Sequence, residues 1–251
     1  MKIDFTNQTI LITGASRGIG RSAALLFAEH NGNVALNYNQ NREAVDSLLA
    51  DLKAFPITAR AYQADVANEA AVNAMVEQVV KDFGRLDVLV NNAGIWKEAS
   101  IKTITDEQLE EMLDINLKSM FYCARAATPH LGTQGGSIIN ISSTAGQRGE
   151  AYHSHYASTK GAVISFTKSL ATELVHERIR VNCVAPGWVD TDMSYDALRA
   201  PDAGKYLQEI PMRRAAHPDE LAGAIVFLAS EWATFITGEV INVNGGAVLC
   251  G

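Results

Sequence analysis

The chain has 251 residues, 47% hydrophobic and 20% charged, which is enough apolar material for one large α/β domain and too much for a disordered protein. Its 21 Lys and Arg against 28 Asp and Glu leave a formal charge of −7, the wrong sign for a protein whose main partner is nucleic acid. No apolar run reaches the length of about eighteen residues that a membrane span needs, and the segment 1–5 (MKIDF) lacks the apolar stretch of a secretory signal, so a cytoplasmic setting is expected.

Short apolar runs alternate with helical patterns from one end to the other. Residues 9–13 (TILIT), 33–37 (NVALN), 58–62, 86–90 (LDVLV), 137–141 (SIINI), 179–184 (IRVNCV) and 240–243 (VINV) read as strands. Their Val and Ile content, without strict alternation, suits a parallel sheet covered on both faces. Between them, stretches such as 69–83 and 106–127 place apolar residues at three- and four-residue spacing. The expected fold is therefore a single-domain α/β Rossmann fold over 1–251, with a doubly wound, seven-stranded parallel sheet and helices on both faces. One polar, ambivalent stretch, 194–206, carries Pro201 and Gly204. It reads as a substrate lid, spanning about 192–209.

The first strand runs into Thr13-Gly14-Ala15-Ser16-Arg17-Gly18-Ile19-Gly20. Glycines there let the backbone turn tightly and approach a pyrophosphate, and the following helix offers unpaired N–H groups and a positive dipole end. Its place after the first strand of an alternating chain points to a dinucleotide. Further along, Tyr156 and Lys160 stand four residues apart in a helical stretch from about 152 to 176, which puts them on one face. A nearby ammonium stabilises phenolate, and the same phenol can protonate a carbonyl oxygen as hydride reaches its carbon. Cys123, Cys183 and Cys250 form no CxxC pair and read as buried free thiols, while His153 and His155 lack a third partner for a metal.

TGASRGIG, Asn91-Asn92-Ala93-Gly94, Asn116, Ser143, Tyr156-Ala157-Ser158-Thr159-Lys160, Pro186-Gly187 and Asn244-Gly245-Gly246 together, in this order, resemble the short-chain dehydrogenases/reductases over essentially the whole chain. The resemblance implies an oxidoreductase that interconverts a carbonyl and a secondary alcohol with a nicotinamide cofactor. It implies Asn116, Ser143, Tyr156 and Lys160 as the catalytic set: Ser143 holding the substrate oxygen, Asn116 carrying a proton relay from Lys160. Ser142 is the competitor of Ser143, but strand alternation would turn its side chain the other way. For the cofactor it implies Gly14, Ser16, Arg17, Gly18, Ile19 and Gly20 at the phosphates, with Asn37 at the end of the second strand. Asp65 and Val66 would meet the adenine, Asn92, Ala93 and Gly94 the ribose, and Pro186, Gly187, Val189 and Thr191 the nicotinamide, alongside Tyr156 and Lys160. It also implies a homotetramer, with Ala and Ser along 157–171 permitting close helix approach.

NAD-preferring enzymes commonly carry Asp or Glu at the end of the second strand. Leu36-Asn37-Tyr38-Asn39 offers none before Glu43, and Arg17 could pair with a 2′-phosphate, so NADP(H) is favoured, with NAD(H) the alternative. Ile210-Pro211-Met212-Arg213-Arg214 and Val226-Phe227-Leu228-Ala229-Ser230 resemble 3-oxoacyl-carrier-protein reductases within the family. The connection 132–136 (GTQGG) departs from them by carrying no basic residue for an acidic carrier. Sugar, polyol and cyclic-alcohol dehydrogenases share the same motifs, and the pocket candidates Trp96, Ala145, Gln147, His153, Trp188 and Tyr195 do not choose among small-molecule carbonyl or alcohol substrates. A non-catalytic, cofactor-sensing regulator would be expected to lack Tyr156, Lys160 or Ser143.

Overall fold

The computed structural model describes residues 2–131, 135–201 and 203–249; Cys250 and most of the 132–136 connection lie outside them. In chain order the elements are β1 (Thr9–Ile12), α1 (Gly18–Glu29), β2 (Asn33–Tyr38), α2 (Arg42–Leu52), β3 (Ala59–Gln63), α3 (Glu69–Phe83), β4 (Val88–Asn91) and α4 (Asp106–Leu113). A π-helical turn (Asp114–Lys118) leads into α5 (Ser119–Leu131), then β5 (Gly136–Ile141), α6 (Ala145–Arg148), α7 (Ser154–Glu173) and β6 (Ile179–Pro186). The chain finishes with α8 (Tyr195–Arg199), α9 (Gly204–Glu209), α10 (Pro218–Ala229) and β7 (Val240–Val243).

All seven strands pair in parallel, in the order β3-β2-β1-β4-β5-β6-β7. The continuous apolar runs arise because both faces are covered, and alternate residues serve opposite layers. Ile10, Ile12, Val88, Val90 and Ile139 join the core under α1, α2 and α10, whereas Leu11, Leu89 and Ile138 join the core under α3, α5 and α7. The strand order reverses between β1 and β4, which opens a crevice at their C-terminal ends, the usual ligand position in such sheets.

The expected helix over 106–127 is not uniform. Its pattern continues through α4, the π turn and α5, but the backbone widens around Asn116, and Ser119 Oγ donates to Ile115 O at 2.6 Å. A single extra residue per turn is a common device at functional sites. Among the described residues no helix is long and apolar enough to cross a membrane.

Candidate active site

The crevice is a cleft of about 690 Å³ at the C-terminal ends of the strands. Gly14 leaves β1 with φ +62°, and a Cβ there would lie 3.0 Å from Ala93 Cα, so this approach of two loops needs glycine. Gly20 is equally constrained: a Cβ would meet Asn92 Nδ2 and Gly14 O at 2.6 Å each. The two loops are also hydrogen-bonded together. Thr13 Oγ1 accepts from Asn92 N at 2.9 Å and Ala93 N at 3.0 Å, and Asn92 Nδ2 donates to Thr13 O at 2.9 Å.

The helix above this loop lacks a cap. Asn41, Asn68, Thr105 and His217 cap α2, α3, α4 and α10, respectively, with side-chain acceptors. Arg17 stands at the N-cap of α1 without one, and no acidic residue occupies the first turn. Its leading N–H groups therefore face the cleft without an internal acceptor, which is the arrangement that takes a phosphate. The loop and helix thus fit a dinucleotide pyrophosphate.

Of the residues expected to bind the cofactor, all but Gly20 line the cleft: Gly14, Ser16, Arg17, Gly18, Ile19, Asn37, Asp65, Val66, Asn92, Ala93, Gly94, Tyr156, Lys160, Pro186, Gly187, Val189 and Thr191. Asn37 differs from a free ligand. It is buried, its Oδ1 accepts from Gly14 N at 3.1 Å, and its Nδ2 donates to Ala64 O at 3.0 Å. Its amide braces the glycine loop from β2. The wall beyond it is Tyr38, Asn39, Gln40 and Asn41, with no carboxylate. Arg17 is exposed and pairs with Asp192 at 3.5 Å across the mouth of the cleft. Arg42 is turned away, bound to Asp46 at 2.9 Å.

The reactive groups lie beside the β5 end. Tyr156 and Lys160 are both buried on one face of α7, and the Lys160 Nζ is 5.8 Å from the phenol ring centroid. Burial pushes the phenol up to about 12, against a hydrogen bond from Ser143 that favours its anion; Glu150 adds to the upward shift. Burial pulls the Lys160 ammonium down to about 8. The ammonium donates to Ile141 O at 2.9 Å. Ser142 Oγ is engaged elsewhere, donating to Lys160 O at 2.7 Å, which leaves Ser143 as the hydroxyl that meets the phenol.

Asn116 does not reach the cleft wall. It is fully buried, accepts from Ile95 N at 2.8 Å and donates to Ile95 O at 2.8 Å, so it clamps the segment after β4. Gly94 separates it from Lys160: a Cβ on Gly94 would lie 3.2 Å from Asn116 Oδ1 and 3.5 Å from Lys160 Nζ.

The far end of the cleft is aromatic. Trp96 stacks on His153 with centroids 4.4 Å apart and stands edge-on to Trp188 at 5.9 Å, and Trp188 meets Tyr206 of α9 at 4.8 Å. Trp96, Ala145 and Trp188 line the cleft, as expected of pocket residues. Gln147 instead donates to Asn242 at 2.6 Å, and Tyr195 is exposed beneath Arg199. Glu111, Arg148, Glu150 and Met193 line the cleft without having been singled out. The only sequence signal for Arg148 and Glu150 is their position in the interval between Ser143 and Tyr156.

Comparison with known proteins agrees with this geometry. A family model described as enoyl-(acyl carrier protein) reductase matches residues 14–248. The chain is 43% identical over 240 residues to the 3-oxoacyl-(acyl-carrier-protein) reductase of Staphylococcus aureus, covering 95% of this chain and 97% of that one. A short-chain dehydrogenase/reductase from Brucella melitensis, described as a glucose/ribitol dehydrogenase, superposes with a TM-score of 0.93 at 35% identity, covering 100% of both chains. A short-chain dehydrogenase from Burkholderia cenocepacia, solved in complex with NADP, gives a TM-score of 0.93 at 33% identity, covering 97% of this chain and 98% of that one.

Proposed function

The chain belongs to the short-chain dehydrogenase/reductase family, and we propose that it uses NADPH to reduce the 3-oxo group of an acyl thioester. Membership makes it an oxidoreductase of carbonyl and CH–OH carbons with a nicotinamide cofactor. The 3-oxoacyl reading is supported by the Staphylococcus aureus relative, and the NADP reading by the β2 end, whose wall carries no carboxylate to repel a 2′-phosphate.

The observation that carries the catalytic reading is a buried phenol facing Ser143, with a buried ammonium beside it, at the edge of a phosphate-ready cleft. The pyrophosphate would sit against Gly14, Ser16, Gly18 and Ile19, with Asp65 and Val66 toward the adenine, Asn92 to Gly94 toward the ribose, and Pro186, Gly187, Val189 and Thr191 toward the nicotinamide. Bound there, the nicotinamide supplies or accepts a hydride. Ser143 holds the substrate oxygen, and Tyr156 gives it the phenolic proton; burial keeps that proton on the phenol at neutral pH. Lys160 stabilises the phenolate left behind. Asn116 positions the chain around Lys160 and relays its replacement proton through water.

The segment 192–209 acts as the substrate lid, holding Tyr206 against Trp188. Purified protein is tested by nicotinamide absorbance with 3-oxoacyl thioesters, ribitol, glucose and cyclic ketones. Faster turnover of 3-oxoacyl thioesters than of the others is expected. Activity confined to sugars or polyols would replace this reading with a dehydrogenase of that class.

A further inference from the structure

We propose that Arg148 is a specificity-determining residue that binds an oxyanion, phosphate or carboxylate, carried by the substrate beyond its reacting carbonyl; this rests on the carbonyl-reductase reading of the cleft. Charged side chains on the cleft wall are otherwise occupied within the protein. Arg17 pairs with Asp192, Glu111 with Lys97 at 2.6 Å, and Glu150 accepts from Trp96 Nε1 at 3.3 Å. Lys160 donates to Ile141 O, and Asp65 accepts from Ala67 N at 2.9 Å. Arg148 lines the same cleft and is exposed; its backbone N–H donates to Thr144 O at 3.0 Å, but its side chain has no ion pair or hydrogen bond among the described residues.

Its placement is fixed to the reaction centre. Arg148 ends α6, which packs backbone to backbone on α7: a Cβ on Gly146 would lie 2.6 Å from Gly161 N, next to Lys160. Gln147, the preceding residue, is tied to Asn242 at 2.6 Å. Arg148 therefore projects from a platform whose position relative to Tyr156 and Lys160 is set by main-chain contact. A planar guanidinium held this way suits bidentate binding of carboxylate or phosphate. In a chain of net charge −7, an unpaired cation at the cleft also sets a local field that draws an anion in.

The test compares wild type, Arg148→Ala and Arg148→Lys with three substrates of one acyl group: acetoacetyl-coenzyme A, acetoacetate, and the uncharged N-acetylcysteamine thioester. Binding of the corresponding 3-hydroxy products is measured in parallel by quenching of tryptophan fluorescence, since Trp96 and Trp188 line the cleft. In Arg148→Ala, KM and Kd for one anionic compound are expected to rise about tenfold, with the neutral thioester changed less than about twofold and Arg148→Lys intermediate. Loss confined to the coenzyme A compounds assigns the anion as phosphate; loss confined to the acids assigns it as carboxylate. Equal weakening of all three, or no change in any, overturns the proposal. Binding that depends on Arg148 without turnover of any thioester would retain the anion site and discard the reductase reading. Failure of the wild type to bind either anionic product overturns the anion site.

Discussion

The Lys160 ammonium lies 5.8 Å from the Tyr156 ring centroid, one helical turn away, and burial drives the two groups apart in acidity, the phenol up to about 12 and the ammonium down to about 8. At neutral pH both therefore hold their protons. That state suits reduction, in which the phenol gives up a proton and the cation stabilises what remains. As pH rises through about 8 the ammonium is lost first, while the phenol stays protonated. The expected profile of kcat/KM for carbonyl reduction is flat near neutrality and falls above about pH 8, because this parameter reports the free enzyme. Initial rates across pH check it; a profile still flat at about pH 10 would remove Lys160 from the step.

Tyr156→Phe keeps the ring packed among Met112, Ala145 and Trp96 but deletes the acid. Turnover should fall at least about a hundredfold, the lower end for general acid–base catalysis. Cofactor affinity, measured by fluorescence titration with NADPH, should stay within about threefold, since the phosphate-ready loop is untouched. Near-normal turnover would exclude Tyr156 as the proton donor.

Gly146→Ala tests whether the α6 platform depends on main-chain contact. The new Cβ would meet Gly161 N at 2.6 Å, and backbone cannot move aside as a flexible side chain can. Overpacking of this kind costs about 1–3 kcal/mol, or roughly 2–12 °C in Tm for a chain of this size. A thermal melt checks it, and a Tm within about 1 °C of wild type would show that the platform yields.

The strands were legible because each is an apolar run bounded by turn residues, and the structure places all seven within two residues of the expected spans. Residues 69–83 form α3 with the expected ends, since Asn68 caps one and Gly84, with φ +77°, terminates the other. The π turn at Asn116 was not legible: apolar spacing runs through it, and one extra backbone residue leaves little trace in a side-chain pattern. The bracing role of Asn37 was hidden for a different reason. A polar residue at a strand end looks the same whether it meets a ligand or a neighbouring loop, and only the bond from Gly14 N decides it. Arg148 was missed because its interest lies in a side chain with no partner among the described residues, which is a property of the fold.

We expect a homotetramer, with α5 and α7 of each subunit facing copies of themselves. Phe121 of α5 is half exposed although its ring packs on the buried Phe166 of α7 at 4.3 Å, so an apolar surface continues outward between these helices. Multi-angle light scattering should report four subunits for the wild type, and Phe121→Glu should shift the population to smaller species. A stable, active wild-type monomer would refute this arrangement.

The final expectation concerns cofactor choice, where Arg17 and Asp192 compete. Arg17 stands at the N-cap of α1 beside the β2 end, where a 2′-phosphate would lie. Its partner is Asp192, 3.5 Å away, and both side chains are about two-thirds exposed, so the pair contributes little stability and is readily exchanged. A charge-assisted bond to phosphate contributes about 1.5–3 kcal/mol, which outweighs a screened surface pair. The wild type should therefore favour NADPH, measured as the kcat/KM ratio for NADPH over NADH. Arg17→Ala should lower that ratio about tenfold. Asp192→Asn should raise it by about two- to fivefold, because the guanidinium no longer has an acid to leave and the mouth of the cleft loses a negative charge. A wild-type ratio below one would reverse the cofactor preference. An unchanged ratio in Asp192→Asn, with the expected loss in Arg17→Ala, would mean that Arg17 binds phosphate without releasing Asp192.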